Sequence, residues 1–432
     1  MHIALACPEL SGHLNPMTTL GRELVRRGHR VTLVARPDGD AKAVAAGLGF
    51  AAIGATEFPR GAIAAQAKAL GGMAARKALR YTIDMMRLAA EVTLRDLPAV
   101  IREHGIDGLL VDQVNPAAGT VAEIEGLPFV KVANALALNR DPACPPAVLP
   151  WQYQPGPLGR LRNAAGNWFL HRVTAPVRDT INAHRVRHGL APRMGEEAPA
   201  FLAEIAQQPA FFDFPRARPE PRLHFTGPWH ATGGGSDVPF PWERLDGRPL
   251  VYASLGTLQN RLGEMFVAIA EAVAPLDAQL VISLGAADQD VASLTARCPG
   301  DPVVVPVAPQ LKLLDRATLA ITHAGLNTAL ESLARGVPMV AIPITNDQPG
   351  VARRLEWLGL AEVVLPRRLT ASRLRQGVER VLDDPSYRIR ARERAAEIAG
   401  LDGVTRAADI VEQAFRTNRP VLAGDRGFHG PG

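Results

Sequence analysis

At 432 residues, 47% hydrophobic and 21% charged, the chain has a globular composition and about two to three times the usual length of one domain, so two cores are expected and extensive disorder is excluded. Its 39 glycines and 36 prolines follow no fixed period, which excludes collagen-like and low-complexity readings. The formal charge of +5 is spread along the chain as arginine, and with no RRM, zinc-finger or basic-zipper pattern it gives no case for nucleic acid.

Cys7, Cys144 and Cys298 are far apart, with no CxxC or Cys/His spacing, so neither a disulfide framework nor a structural zinc is supported. The first residues carry no basic segment and reach Glu9 before an apolar core forms, which reads as a cytoplasmic protein. The longest uncharged stretch, Pro142 to Gly159, is broken by proline and cannot span a membrane.

In chain order, His2–Ala6 and Arg30–Ala35 read as buried strands. Between them Pro16 to Arg27 reads as a helix with Met17, Leu20, Leu24 and Val25 on one face, ended by Gly28. Gly108–Val111 and Pro128–Ala133 are two further strands, separated by a helix from about Ala117 to Gly126. Pro155 to Leu190 is helical and arginine-rich, and Pro215 to Asp237 breaks into Pro, Gly and Ser. Strands then resume at Leu250–Ser254, Gln279–Ser283, Val303–Pro306, Leu319–Thr322, Pro338–Ile342 and Glu362–Leu365. This βαβ alternation predicts two Rossmann-like, doubly wound parallel-sheet domains facing a cleft, with ligands at the carboxyl ends of the strands.

The residues at those strand ends carry the chemistry. His13 follows the first strand on what reads as a loop, where an imidazole with an ordinary pKa near 6.5 can act as a general base; an exposed or capping histidine is the plainer reading. Asp112 closes the strand Gly108–Val111 and can hold one nitrogen of His13, or simply cap. Asp107 precedes that strand and belongs to the opposite end. In the second half, Thr322-His323-Ala324-Gly325-Leu326-Asn327-Thr328-Ala329-Leu330-Glu331 takes a strand through a small-residue turn into a helix, so backbone amides and the helix end can face a diphosphate. His323 and Thr328 add side-chain donors, and Glu331 can accept from ribose hydroxyls. Asp347 and Gln348 suit sugar hydroxyls, with helix capping by Asp347 as the alternative. Ser254, Gly256 and Thr257 form a turn that lets a phosphate approach, and the Val307-Ala308-Pro309-Gln310 loop can meet a base edge. No GxGxxG, GxxxxGK[ST] or GxSxG is present. The acidic pairs Asp38/Asp40 and Asp288/Asp290 read as solvated turns and not as cation sites.

Taken together, His323 to Glu331 with Asp347-Gln348, His13, Asp112, Ser254 to Thr257 and Ala308 to Gln310 resemble the family 1 UDP-glycosyltransferases of the GT-B fold. Within that family, Asp107–Gln113, Gly126–Phe129, Leu138–Pro142, Ala253–Gln259, Asp347–Ala352 and Ala407–Gln413 look most similar to the bacterial zeaxanthin glucosyltransferases of carotenoid biosynthesis. Plant members carry Trp where Val307 and Leu326 stand, so here uracil is left to backbone and apolar contact.

The resemblance implies an inverting, metal-independent transfer of glucose from UDP-glucose to a hydroxyl of an apolar acceptor such as zeaxanthin. His13 and Asp112 are then catalytic, and Ser254, Gly256, Thr257, Ala308, Gln310, His323, Gly325, Asn327, Thr328, Glu331, Asp347 and Gln348 hold the donor. No cofactor is implied. It divides the chain into an acceptor-binding domain at 1–230, a linker at 231–246, a UDP-sugar domain at 247–400, a helix at 401–418 crossing back to the first domain, and a flexible tail at 419–432. Ala62 to Ala90 and Ala143 to Tyr153 are candidate acceptor walls. Trp151, Tyr153, Trp168 and Phe169 are candidate contacts for a polyene or membrane surface, where Arg160, Arg162 and Arg172 can meet anionic lipid; core packing and a solvated face are the plainer readings. A lipophilic macrolide or flavonoid acceptor, a sugar-nucleotide epimerase and a non-catalytic lipid carrier are the alternatives.

Overall fold

The computed structural model describes residues 1–71, 73, 75–194, 200–229, 238–256, 263–285 and 290–424, with backbone alone at 67, 68, 71 and 75. Seven strands form the first sheet: β1 (His2–Ala6), β2 (Arg30–Ala35), β3 (Gly49–Ala52), β4 (Gly108–Asp112), β5 (Phe129–Ala133), β6 (Ala203–Ala206) and β7 (Leu223–Phe225). Six form the second: β8 (Leu250–Ser254), β9 (Gln279–Ser283), β10 (Val303–Val305), β11 (Ala317–Thr322), β12 (Met339–Ala341) and β13 (Ala361–Val363). Every pairing is parallel, as expected where helices cover both faces and strands become continuous apolar runs. β1, β4, β8 and β9 are buried at every residue.

The strand orders are β3-β2-β1-β4-β5-β6-β7 and β10-β9-β8-β11-β12-β13. In each sheet the chain first winds one way and then returns to the other side of its first strand. The crevice at that reversal lies beyond the carboxyl ends of β1 and β4 in one sheet and of β8 and β11 in the other, which is where open α/β sheets take ligands.

Two expectations need correction. The first helix runs from Ser11 to Arg26 and contains Pro16, so His13 stands in a helical first turn and not on a loop. Leu14, Met17, Leu20 and Leu24 form its buried face, whereas Val25 is exposed. β3, β6 and β7 escape the periodicity reading because they are short and include Gly49, Glu204 and His224. Of the expected linker, residues 231–237 lie outside the described residues, and Trp242–Arg244 form a 3-10 turn.

The helix Gly403–Thr417 inserts Ala407, Ala408, Val411, Ala414 and Phe415 into the core of the first sheet. Arg27 ties it there, donating to Asp409 at 2.6 Å and Glu412 at 2.8 Å. Across the two domains, Arg354 on the helix Gln348–Trp357 donates twice to Asp213 of the first domain, at 2.7 and 3.0 Å. Its guanidinium also lies over the Phe214 ring at 4.3 Å, and Arg216 holds the other Asp213 oxygen at 2.6 Å. Asp213→Ala would leave Arg354, 2% exposed, without a carboxylate, and is expected to cost about 3–5 kcal/mol. The check is the urea midpoint of fluorescence-monitored unfolding; an unchanged midpoint would mean that this pair does not hold the domains.

Candidate functional site

β1 and β4 are neighbours, so the first turn after β1 and the last residue of β4 meet at one point. There His13 Nδ1 lies 2.8 Å from Asp112 Oδ2. Asp112 is fully buried and its acceptors are filled: Asn134 Nδ2 donates to Oδ2 at 2.7 Å and the Val114 N–H to Oδ1 at 2.9 Å, with the Cys7 thiol at 3.7 Å. Burial alone would raise the Asp112 pKa, but His13, Asn134 and the Val114 N–H hold it below its ordinary value. Burial of the imidazole opposes its protonation, yet the Asp112 charge and hydrogen bond, joined by Asp347, outweigh it and raise the His13 pKa. With Nδ1 committed to the carboxylate, Nε2 is the nitrogen that can exchange a proton with a ligand. Asp107 serves the opposite end of β4, accepting from the His2 N–H at 2.7 Å.

Ser254 ends β8 and His323 directly follows β11, and these strands are paired. The His323 ring fits between two turns because both carry glycine. A Cβ on Gly256 (φ +81°) would lie 3.0 Å from Nε2, and one on Gly325 only 2.5 Å away. Between them Ala324 takes a left-handed φ of +63°, a conformation that costs a non-glycine residue about 1 kcal/mol and gathers at functional turns. Burial lowers the His323 pKa to about 4, with the Ser254 backbone opposing. His323 is therefore neutral at pH 7 and offers a hydrogen bond instead of a charge. Its Nδ1 is buried without a partner. Gly325 caps the helix Leu326–Leu333, whose first turn leaves backbone N–H groups free for an anion.

Gln310 joins β8 to the helix Leu326–Leu333. Its Oε1 accepts from the Tyr252 hydroxyl at 3.0 Å, while Nε2 donates to Glu331 at 2.5 Å and reaches Thr328 Oγ1 at 3.4 Å. Burial raises the Glu331 pKa against the pull of Gln310 and Arg335. The Ala308 carbonyl is occupied by the Gln310 N–H at 2.8 Å. Thr257 lies outside the described residues.

Asp347 occupies the N-cap position of the helix that follows it, but its side chain makes no capping hydrogen bond there. It reaches the first domain, where Oδ2 accepts from the Leu136 N–H at 2.9 Å, and burial raises its pKa although that N–H, His13 and Arg354 pull it down. The Gln348 side-chain carbonyl accepts from the Ile344 and Thr345 N–H groups, both at 2.9 Å, leaving its NH2 for a ligand. Asn327 also crosses the seam: Nδ2 donates to the Gly12 carbonyl at 3.1 Å, and Oδ1 accepts from Gln207 Nε2 at 2.8 Å. Gln207 in turn donates to the Asn134 carbonyl. One hydrogen-bonded chain therefore links Asp112, Asn134, Gln207, Asn327 and Gly12. Asn134 and Gln207 were not anticipated, although each directly follows a strand, the position that singled out Asp112.

Other candidates lie elsewhere. Asp38 accepts from the Gly61 N–H at 2.8 Å, Asp40 pairs with Arg60, and Asp290 caps the helix Val291–Thr295, while Asp288 lies outside the described residues. Tyr153 stacks on Phe214 at 4.8 Å and meets the Trp357 edge, so it closes the domain interface. Trp151 packs beside Gly166 and under Arg162. From Ala62 to Ala90, Ile83 and Ala90 are core, whereas Leu79 and Met86 are exposed.

Residues 204–394 match the family described as UDP-glucoronosyl and UDP-glucosyl transferase. Over 429 residues the chain is 33% identical to the zeaxanthin glucosyltransferase of Pantoea ananas, with 98% of each chain covered. The chain belongs to the UDP-glycosyltransferase family. This glycosyltransferase is also 32% identical to the zeaxanthin glucosyltransferase of Pseudescherichia vulneris, covering 97% of its own length and 99% of the relative's. Among solved structures, the glycosyltransferase of kitacinnamycin superposes with a TM-score of 0.72 at 26% identity, covering 95% of this chain and 98% of that one. The fold is GT-B and the enzyme takes a nucleotide-sugar donor.

Two measurements check the geometry. His13 should titrate above 6.5 by NMR in the free enzyme. Its stabilising effect is then fully present below pH 6.5 and lost as pH rises through the His13 pKa. Asp112→Asn removes the charge and leaves the burial, so the same resonance should then titrate below 6.5; an unmoved resonance would show that the pair is not formed in solution. Gly325→Ala places a methyl against His323 and should weaken UDP binding at least about tenfold by calorimetry, a displacement worth about 1.4 kcal/mol. Unchanged affinity would remove this turn from the donor site.

Proposed function

We propose that the enzyme transfers glucose from UDP-glucose to a hydroxyl of zeaxanthin or a closely related hydroxycarotenoid, with inversion at the anomeric carbon and without a metal ion. The observation that carries this reading is the likeness, over nearly the whole chain, to two zeaxanthin glucosyltransferases; segments outside the donor crevice contribute to it.

His13 Nε2 takes the acceptor hydroxyl proton while Asp112 stabilises the imidazolium. The oxygen attacks the anomeric carbon from the face opposite the nucleotide, the new carbon–oxygen bond forms, and the bond to the diphosphate breaks with its electrons leaving on UDP. Charge developing on the diphosphate meets the Leu326–Leu333 helix start, His323, Thr328 and the Ser254–Gly256 turn. These preorganised dipoles take the place of a cation. Asp347 and Gln348 receive sugar hydroxyls, Glu331 the ribose, and Ala308 with Gln310 the base. Asn327 acts through the seam, setting Gly12 beside His13. The acceptor lies along the 62–90 and 143–153 segments, reached from the lipid phase in which such a diol dissolves.

The test is chromatography of zeaxanthin incubated with UDP-glucose and enzyme, with and without chelator, and with a flavonol and a macrolide run alongside. The expected products are zeaxanthin β-glucosides, formed equally well with chelator. Preferential glucosylation of the flavonol or macrolide would overturn the acceptor assignment. His13→Ala should lower kcat about a hundredfold or more while UDP still binds; wild-type turnover would exclude His13 as the base.

A further inference from the structure

Among the described residues, four large apolar side chains that stand in solvent lie on one helix, Pro157–Val173: Leu158 at 83% exposure, Leu161 at 70%, Trp168 at 65% and Phe169 at 50%. At 100° per residue they fall, with Ala165 and Arg172, within an arc of about 100°. The fully buried residues of the same helix are small or polar, and its inward-turned Leu170 and Val173 are only half-buried. Gly159 packs against the Gln154 carbonyl, Gly166 beneath Trp151, and Asn163 donates to the Pro142 carbonyl at 3.1 Å. A helix serving only a globular core would be arranged the other way round, with its large apolar residues inside.

The charge around this stripe has one sign. No Asp or Glu occurs between Asp141 and Asp179, a stretch that includes Arg160, Arg162, Arg172 and Arg178. Among the described residues Arg160, Arg162 and Arg172 have no carboxylate partner. Arg160 donates to the Pro155 carbonyl and Arg162 to the Gln152 carbonyl, and Arg172 lies near the Trp168 ring at 6.0 Å. Trp and Phe beside unpaired arginines are the composition of a helix that rests in a headgroup layer. No helix among the described residues is long and apolar enough to cross a membrane.

We propose that the helix Pro157–Val173 docks the enzyme on an anionic lipid bilayer, with Leu158, Leu161, Trp168 and Phe169 among the acyl chains and Arg160, Arg162 and Arg172 against the lipid phosphates. This deepens the function proposed above and rests on it for its purpose, since an apolar acceptor is held in lipid. The segment before the helix runs back past the Leu136 N–H that Asp347 holds to Asn134 beside Asp112, so the docked helix lies on the chain segment that borders the cleft.

The test is flotation of the full chain with phosphatidylcholine vesicles and with vesicles containing one quarter phosphatidylglycerol, at low and high salt. Binding should require the anionic lipid and weaken with salt. Combined Leu158→Ser, Leu161→Ser, Trp168→Ser and Phe169→Ser should lower partitioning at least about tenfold, and each of Arg160→Gln and Arg172→Gln about fivefold. All variants should keep wild-type thermal midpoints and wild-type turnover of an acceptor presented in detergent. Absence of flotation by the wild type, or undiminished flotation by the serine variant, would overturn the proposal. So would a wild-type dimer that the serine variant makes monomeric, since the stripe would then face a second copy. Flotation lost in the serine variant, from an enzyme that leaves zeaxanthin unmodified, supports the docking surface and defeats the acceptor assignment. Zeaxanthin glucosylated in detergent by an enzyme that never floats does the reverse.

Discussion

Pro16 has no N–H to give to the carbonyl four residues before it, and that carbonyl, on Gly12, is the one that accepts from Asn327 of the other domain. The first turn of the helix Ser11–Arg26 thus faces two ways. Its side chain at His13 closes on Asp112 in its own sheet, and its backbone at Gly12 is held by the start of the helix Leu326–Leu333. Burial of the Asp112 carboxylate completes the constraint. A fully buried charge is tolerable only when its oxygens are filled, and His13, Asn134 and the Val114 N–H fill them. The imidazole is therefore fixed by the same bonds that make the carboxylate affordable inside the sheet.

The seam between the domains combines apolar contacts, such as Tyr153 and Phe214 against Trp357, with polar groups that have few alternatives. Asp347 to the Leu136 N–H, Asn327 to Gly12 and Gln207, and Arg354 to Asp213 each join a side chain to a definite partner. Apolar contact alone would let the halves slide, whereas these bonds have directional requirements. Asp347 and Asn327, which look from sequence like ligands of a sugar donor, thus align the two crevices.

Much of this was legible beforehand because parallel strands covered on both faces become unbroken apolar runs. β1, β2, β8 and β9 were bounded as observed for that reason. β6 was not, since Glu204 stands inside it, fully buried against Lys131 at 2.9 Å and Asn139 at 2.7 Å, a pairing that no local pattern announces. Position at strand ends puts His13, Asp112 and His323 at their crevices, whereas Pro16, which reads as a helix start, stands five residues past the first residue of the helix Ser11–Arg26. Gln207 was lost with β6, and Asn134 because an asparagine after a strand has too many ordinary uses. The partners that fix Asp347 and Asn327 lie in the other half of the chain, beyond the reach of local periodicity.

The helix Gly403–Thr417 has a consequence for how the molecule is made. It supplies the first sheet with apolar residues that are nearly the last of the described chain to be synthesised. While the ribosome is still extending the second domain, the face of the first sheet that receives Val411, Ala414 and Phe415 has nothing to cover it. The second core, by contrast, takes its strands and most of its packed residues from one continuous stretch, 240–398. Emergence order and completion order therefore differ: the domain made first must wait partly open, with apolar surface accessible to chaperones, until the end of the chain returns to it.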